Sequence, residues 1–129
     1  MGLKRNVSLQ TALQYKGQGP FLTYILHRIG GMGMAIFITT HILATFMNGK
    51  GWKIGYIINS IYINPFFQIF ILFCILFHAI NGLRITILDL FPKLILYHRQ
   101  AIMIEWGIFI LLYGFAVFSI LNSAFGRPA

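Results

Sequence analysis

Three long apolar runs separated by short polar breaks dominate this chain. The first covers about residues 21–47 and ends at Asn48-Gly49-Lys50-Gly51. The second covers about residues 63–91, where 18 of the 29 positions are Ile, Leu or Phe, and stops at Phe91-Pro92. The third covers about residues 101–122. Each is long enough to cross a bilayer, which takes roughly 20 apolar residues. The pattern predicts an all-α membrane protein with three transmembrane helices, residues 1–129 forming a single unit. Pro65 is tolerable in the first turn of the second span. A polar, basic lead-in precedes the first span and breaks at Gly17-Gln18-Gly19-Pro20, with a short interfacial helix expected around Ser8 to Tyr15. A loop is expected between the first two spans, its Trp52, Tyr56 and Tyr62 suited to the headgroup region. A short basic loop, Lys93 to Gln100, joins the second span to the third.

Composition sharpens this picture. The chain is 58% hydrophobic and only 9% charged, and its mean hydropathy of +0.79 suits lipid better than a water-facing surface. The net charge of +8 does not point to nucleic acid, because the basic residues sit at the ends of apolar spans and line no common face. Cys74 is the one cysteine, so neither a disulfide framework nor a thiolate metal site is available, and it reads as packed or lipid-facing. Residues 1–19 are polar and carry no cleavable signal pattern. Seven basic residues, Lys4, Arg5, Lys16, Arg28, Arg84, Lys93 and Arg99, belong to one side, and three, Lys50, Lys53 and Arg127, to the other. This bias puts the N-terminus and the second loop in the cytoplasm.

The polar residues inside the spans carry the chemistry. The stretch His78 to Asp89, HAINGLRITILD, sets His, Asn, Arg and Asp into the most apolar run. Ionisable groups inside a membrane helix are expensive, and by default they read as functional. His78, Gly82, Ile85 and Asp89 share one helical stripe with Asn81 at its edge, and Gly82 leaves bare backbone one turn past the imidazole. A flat ligand could lie there, with His78 as an axial ligand of haem iron. A histidine hydrogen-bonded to a neighbouring helix is the plainer alternative. The first span opens with HRIGG, and His27, Gly30, Met34, Phe37 and His41 share a stripe. Arg28 could simply snorkel. Gly30, Gly31 and Gly33 leave room for a planar cofactor, although close helix packing through small residues accounts for them more simply. At 1.5 Å per residue, His41 lies ~20 Å past Arg28 and His78 ~16 Å before Asp89, so both fall in the hydrocarbon interior. They could share one haem or serve two. Asp89, Arg84, Arg28 and His27 gather near the cytoplasmic edge, where they could neutralise haem propionates or hydrogen-bond a quinone; an Arg84–Asp89 ion pair is the simpler reading. Glu105 is expected to pair with Arg99, His98 to be solvated, and Gly107 and Gly114 to form a packing face.

HRIGG followed by HAINGLRITILD resembles the cytochrome b membrane-anchor subunit of succinate dehydrogenase (complex II) and its fumarate reductase relatives. The family pattern opens the first span with H-R-x-[S/T]-G and places H-x-x-x-G-x-R, then an Asp five residues later, in the second. His27, Arg28 and Gly31, then His78, Gly82, Arg84 and Asp89, occupy those positions, and the likeness extends to length, span number and orientation. The resemblance implies a three-helix subunit forming a bundle with a second membrane-anchor subunit, holding a flavoprotein and an iron–sulfur subunit to the cytoplasmic face. It implies haem b on His78, with the opposite ligand from the second anchor and with His27, Arg28, Gly31, Gly82 and Arg84 around it. It implies a quinone near Arg28 and Asp89. His41 lies ten residues after Gly31, where di-haem members carry the ligand of a distal haem. Gly30 replaces the motif's Ser or Thr, and Tyr24, with Thr23 beside it, stands where some members carry a quinone-site Ser. Ile85 replaces a histidine found in many single-haem members. The loss at 85 and the gain at 41 favour two haems and menaquinone. The expected chain performs no succinate chemistry itself, and it sits in a bacterial or archaeal cytoplasmic membrane in preference to the mitochondrial inner membrane. A quinol:fumarate reductase anchor is the nearer alternative, and a non-redox membrane subunit with structural histidines the more distant one.

Overall fold

A computed structural model of the chain describes residues 19–126, together with Ser8 and Gln10. The interfacial helix expected around Ser8 to Tyr15 otherwise lies outside the described residues. Among the described residues, four α-helices follow one another: α1 (Gly19–Gly49), α2 (Lys53–Ile63), α3 (Pro65–Leu90) and α4 (His98–Phe125), with a 3-10 helix, Pro92–Tyr97, between α3 and α4. Helices suit lipid because they satisfy every internal backbone group within the segment. Hydroxyls in the spans do the same by bonding one turn back, as Thr39 does to the Ala35 carbonyl and Thr86 to that of Gly82. Three stretches, Pro20–Gly49, Pro65–Leu90 and Pro92–Phe125, are long and apolar enough to cross a membrane, as the sequence predicts.

Local chemistry sets the helix ends. The Asn64 side chain accepts from the Phe66 and Phe67 amides at 2.9 and 3.4 Å, and Pro65 occupies the first turn of α3, where its missing N–H costs nothing. Pro92 stops α3, because the residue before a proline is pushed out of helical geometry. Gly51 adopts φ +76°, which reverses the chain after α1 and lets the Trp52 amide reach the Met47 carbonyl at 2.9 Å.

Two expectations need correction. The stretch from Trp52 to Tyr62 is not a loop: 53–63 is helical, with Gly55 buried against α1. Its isoleucines are poor helix formers, and packing on α1 overrides propensity. A Cβ on Gly55 would collide with the Asn48 nitrogen and stand 2.8 Å from the Ala44 carbonyl oxygen, so the two helices meet there through backbone. The Tyr62 hydroxyl then donates to Thr40 Oγ1 at 2.5 Å. Gly55→Ala is expected to cost about 1–3 kcal/mol by overpacking and to detach α2, detected as new labelling of a cysteine placed at Thr40; an unlabelled Thr40→Cys/Gly55→Ala protein would contradict this contact. The second correction concerns 93–100, where the 3-10 helix runs directly into α4 and leaves no extended loop.

The central element is α3, with α1 on one side and α4 on the other. Against α4 it packs by aromatic rings: Phe77 meets Phe109 edge-on at 5.3 Å and Trp106 at 5.4 Å, while Tyr113 donates to the Ile69 carbonyl at 3.1 Å. Against α1 it packs through glycine. Cys74 is fully buried in a notch where Cβ atoms on Gly30 and Gly33 would stand 3.0 Å from its carbonyl oxygen and 2.9 Å from its Sγ. The packed reading of Cys74 and the close-packing reading of these two glycines therefore hold. At Gly107 and Gly114, expected to form a packing face, an added Cβ would meet nothing within 4 Å among the described residues.

Candidate functional site

Where α1 crosses α3, four motif residues interlock. The His78 ring lies against Gly31, where a Cβ would come within 2.9 Å of Cε1. The His27 ring lies against Gly82, with 3.5 Å to the corresponding position. The two imidazoles stack at 4.0 Å between centroids and 10° between planes. The bare backbone beside Gly82 is thus filled by an imidazole from another helix.

His78 Nδ1 lies 3.1 Å from the His27 carbonyl oxygen. A carbonyl only accepts, so Nδ1 carries the proton and Nε2 keeps its lone pair. That is how second-shell partners set the tautomer and direction of a metal-ligating histidine. Nε2 has no hydrogen bond among the described residues. The chain has two acids, four histidines and one cysteine, and no three of these come together as a site for a bare metal ion. A haem needs less from the protein, an axial imidazole of defined tautomer, and His78 fits that requirement.

One turn towards the N-terminal end of α1 lies a second cluster, organised by Arg84. Its Nε pairs with Glu105 Oε2 at 2.6 Å, with the two side chains only 10% and 1% exposed. Its Nη2 donates to Asn81 Oδ1 at 2.6 Å and, at 3.5 Å, to Thr23 Oγ1. Asn81 Nδ2 reaches the Thr23 carbonyl at 3.5 Å, and the Thr23 hydroxyl donates to the Pro20 carbonyl at 3.0 Å. Thr23 and Asn81 are both fully buried. One guanidinium thus ties α1, α3 and α4 together.

This changes several assignments. Arg84 pairs with Glu105 instead of Asp89, and Glu105 does not pair with Arg99. Asp89 is exposed and joins no ion pair among the described residues. His98 is half-buried, its Nδ1 3.5 Å from Arg84 Nη1, and not simply solvated. Arg28 points outward and donates to the Tyr24 hydroxyl at 2.6 Å, its guanidinium carbon 5.6 Å from the Tyr24 ring centre. Of the expected quinone contacts, Arg28, Tyr24 and Asp89 are exposed, whereas Thr23 is spent on the buried cluster. The sequence shows Asn81 and Glu105 as polar residues within apolar spans but not the network that joins them. A usable signal existed: residues 84 and 105 are equidistant from the middle of the 92–97 turn, which puts them at one depth in an antiparallel hairpin.

His41 stands elsewhere. His78 is level with His27, and His41 follows His27 by 14 residues on α1, about 21 Å along the axis at 1.5 Å per residue. Two nitrogens on one metal ion lie within about 4 Å, given bonds of about 2 Å. The two histidines cannot share one haem. The His41 ring meets Phe37 at 5.3 Å and Tyr62 at 5.5 Å, is exposed, and makes no hydrogen bond among the described residues. It lines a groove of about 570 Å³ between α1, α2 and the start of α3, with Asn59, Ser60, Tyr62 and Gln68 in its walls.

Comparison with known proteins agrees with this architecture. The chain is 26% identical over 101 residues to the succinate dehydrogenase 2 membrane subunit SdhC of Mycobacterium tuberculosis, covering 76% of this chain and 74% of that protein. Residues 1–121 match the family described as the succinate dehydrogenase/fumarate reductase transmembrane subunit. Three apolar helices, a histidine–glycine interlock between the first two spans and a match over nearly the whole length lead to one assignment: the chain belongs to the succinate dehydrogenase/fumarate reductase transmembrane subunit family.

Proposed function

We propose that this subunit binds haem b through His78 and carries electrons from an iron–sulfur subunit to a membrane quinone, menaquinone by preference, while anchoring the catalytic subunits. The observation that carries the reading is the Nδ1–H of His78 held by the His27 carbonyl at 3.1 Å, which leaves Nε2 as a preset ligand nitrogen. The haem would supply a one-electron carrier within the apolar span. The chain's own residues hold the imidazole and keep its tautomer. A second anchor subunit would supply the opposite ligand. Arg28, braced on Tyr24, and Asp89 are exposed and available to a quinone or a partner at the cytoplasmic edge. The excess of basic residues on the N-terminal side supports a cytoplasmic N-terminus, in a bacterial or archaeal membrane. The relative's name favours succinate oxidation over fumarate reduction.

His41 is proposed as the ligand of a second, distal haem. Support comes from its exposed imidazole without a hydrogen-bond partner among the described residues and its separation of about 21 Å from the level of His78. The test is redox potentiometry and pyridine haemochrome on the purified complex. Two b-type components are expected, and His41→Leu should remove one and leave the other. A single haem per complex would leave His41 structural, and a complex without b-type bands would overturn haem binding altogether.

A further inference from the structure

The contact between α1 and α3 is reciprocal. Each histidine is followed four residues later by a glycine, His27 by Gly31 and His78 by Gly82, and each ring lies over the glycine of the other helix. His27 touches His78 twice. Its carbonyl takes the Nδ1 proton at 3.1 Å, and its ring stacks on the His78 ring at 4.0 Å and 10°. A single hydrogen bond fixes one nitrogen but leaves an imidazole free to rock about that contact, and a parallel ring removes the freedom. On another side the ring fits against Gly31, where a Cβ would come within 2.9 Å of it, so only a glycine leaves the ring this position. His27 makes no visible use of its own polarity: Nδ1 is buried with no hydrogen-bond partner among the described residues.

We propose that His27 is a positioning residue that sets the plane of the His78 imidazole through its flat face, with Gly31 and Gly82 giving both rings clearance. The inference rests on His78 being a haem ligand. It differs from the expectation that His27 serves as a polar partner of the cofactor, because a stacking role needs a ring and no nitrogen.

Three substitutions separate the two, and all keep the His27 carbonyl. His27→Phe keeps a flat ring without nitrogen, His27→Asn keeps a polar group without a ring, and His27→Ala keeps neither. The readout is the g-max of the low-spin ferric haem in EPR spectra of the purified complex, normalised to haemochrome content. That signal depends on the planes of the axial ligands, which general loosening of the bundle would broaden without moving in a ring-dependent way. The expected result is an unchanged g-max in His27→Phe and a shifted one in both His27→Asn and His27→Ala. Loss of haem in the latter two with retention in His27→Phe would support stacking equally. A shift or haem loss in His27→Phe as large as in His27→Ala, or no shift in any variant, would overturn the proposal. His78→Ala runs alongside: full haem content there would overturn the ligand reading beneath it.

Discussion

Replacing His78 with alanine is expected to abolish the low-spin signal of the haem it is proposed to ligate and to lower haem content in the purified complex by one equivalent. The imidazole sits at the crossing of α1 and α3 with its Nδ1 proton held by His27, and no other described side chain offers a metal-ligating nitrogen at that level except His27 itself. His27 does not simply take over, because its own ring is seated against Gly82 on α3 and not at the His78 position. The truncation also removes a ring from a close-packed crossing, and cavities of this kind cost about 2–5 kcal/mol when the surroundings do not collapse. The bundle has other supports, the Cys74 notch and the aromatic stack on α4, so the subunit should still assemble. Succinate oxidation with an artificial acceptor that bypasses the membrane should therefore survive, while quinone reduction falls. Unaltered haem content and spectrum in His78→Ala would exclude His78 as a ligand.

The largest effect on stability is expected at Glu105. Its carboxylate and the Arg84 guanidinium are buried together, 1% and 10% exposed, at 2.6 Å. Removing one member of such a pair leaves an uncompensated charge in a low-dielectric site, a change that costs about 3–5 kcal/mol, whereas exchanging both for apolar groups is often neutral. Glu105→Leu should lower the thermal midpoint of the purified complex strongly, and Arg84→Leu/Glu105→Leu should recover most of that loss. Glu105→Gln, which keeps an acceptor oxygen, should fall between. The same clamp sits beside the His78 crossing, so a moderate change in the spectrum of the proposed haem should accompany the loss of stability. A Glu105→Leu complex as stable as the wild type would show that Asn81 and Thr23 suffice to hold Arg84.

Properties that depend on summed composition and on neighbours along the chain are legible in the residues alone. Three apolar runs of sufficient length dictate three helices in lipid, whatever their partners. Asn64-Pro65 marks the start of α3 and Phe91-Pro92 its end, because caps and proline geometry act over one turn. The spacing of HRIGG and HAINGLRITILD was enough to single out His27, Gly31, His78 and Gly82, since residues four apart share a helical face. Only the tertiary structure decided which faces meet and at what depth. It gave Arg84 to Glu105, left Asp89 exposed, buried Asn81 and Thr23, turned an expected loop into α2 through the Gly55 contact, and separated His41 from His78 by about 21 Å along the bundle. The physical reason is that apolar burial is non-directional in a chain so rich in Ile, Leu and Phe. Many helix rotations bury similar area, and the choice among them rests on a few close approaches, at Gly30, Gly31, Gly33, Gly55 and Gly82, that become contacts only when the helices are side by side.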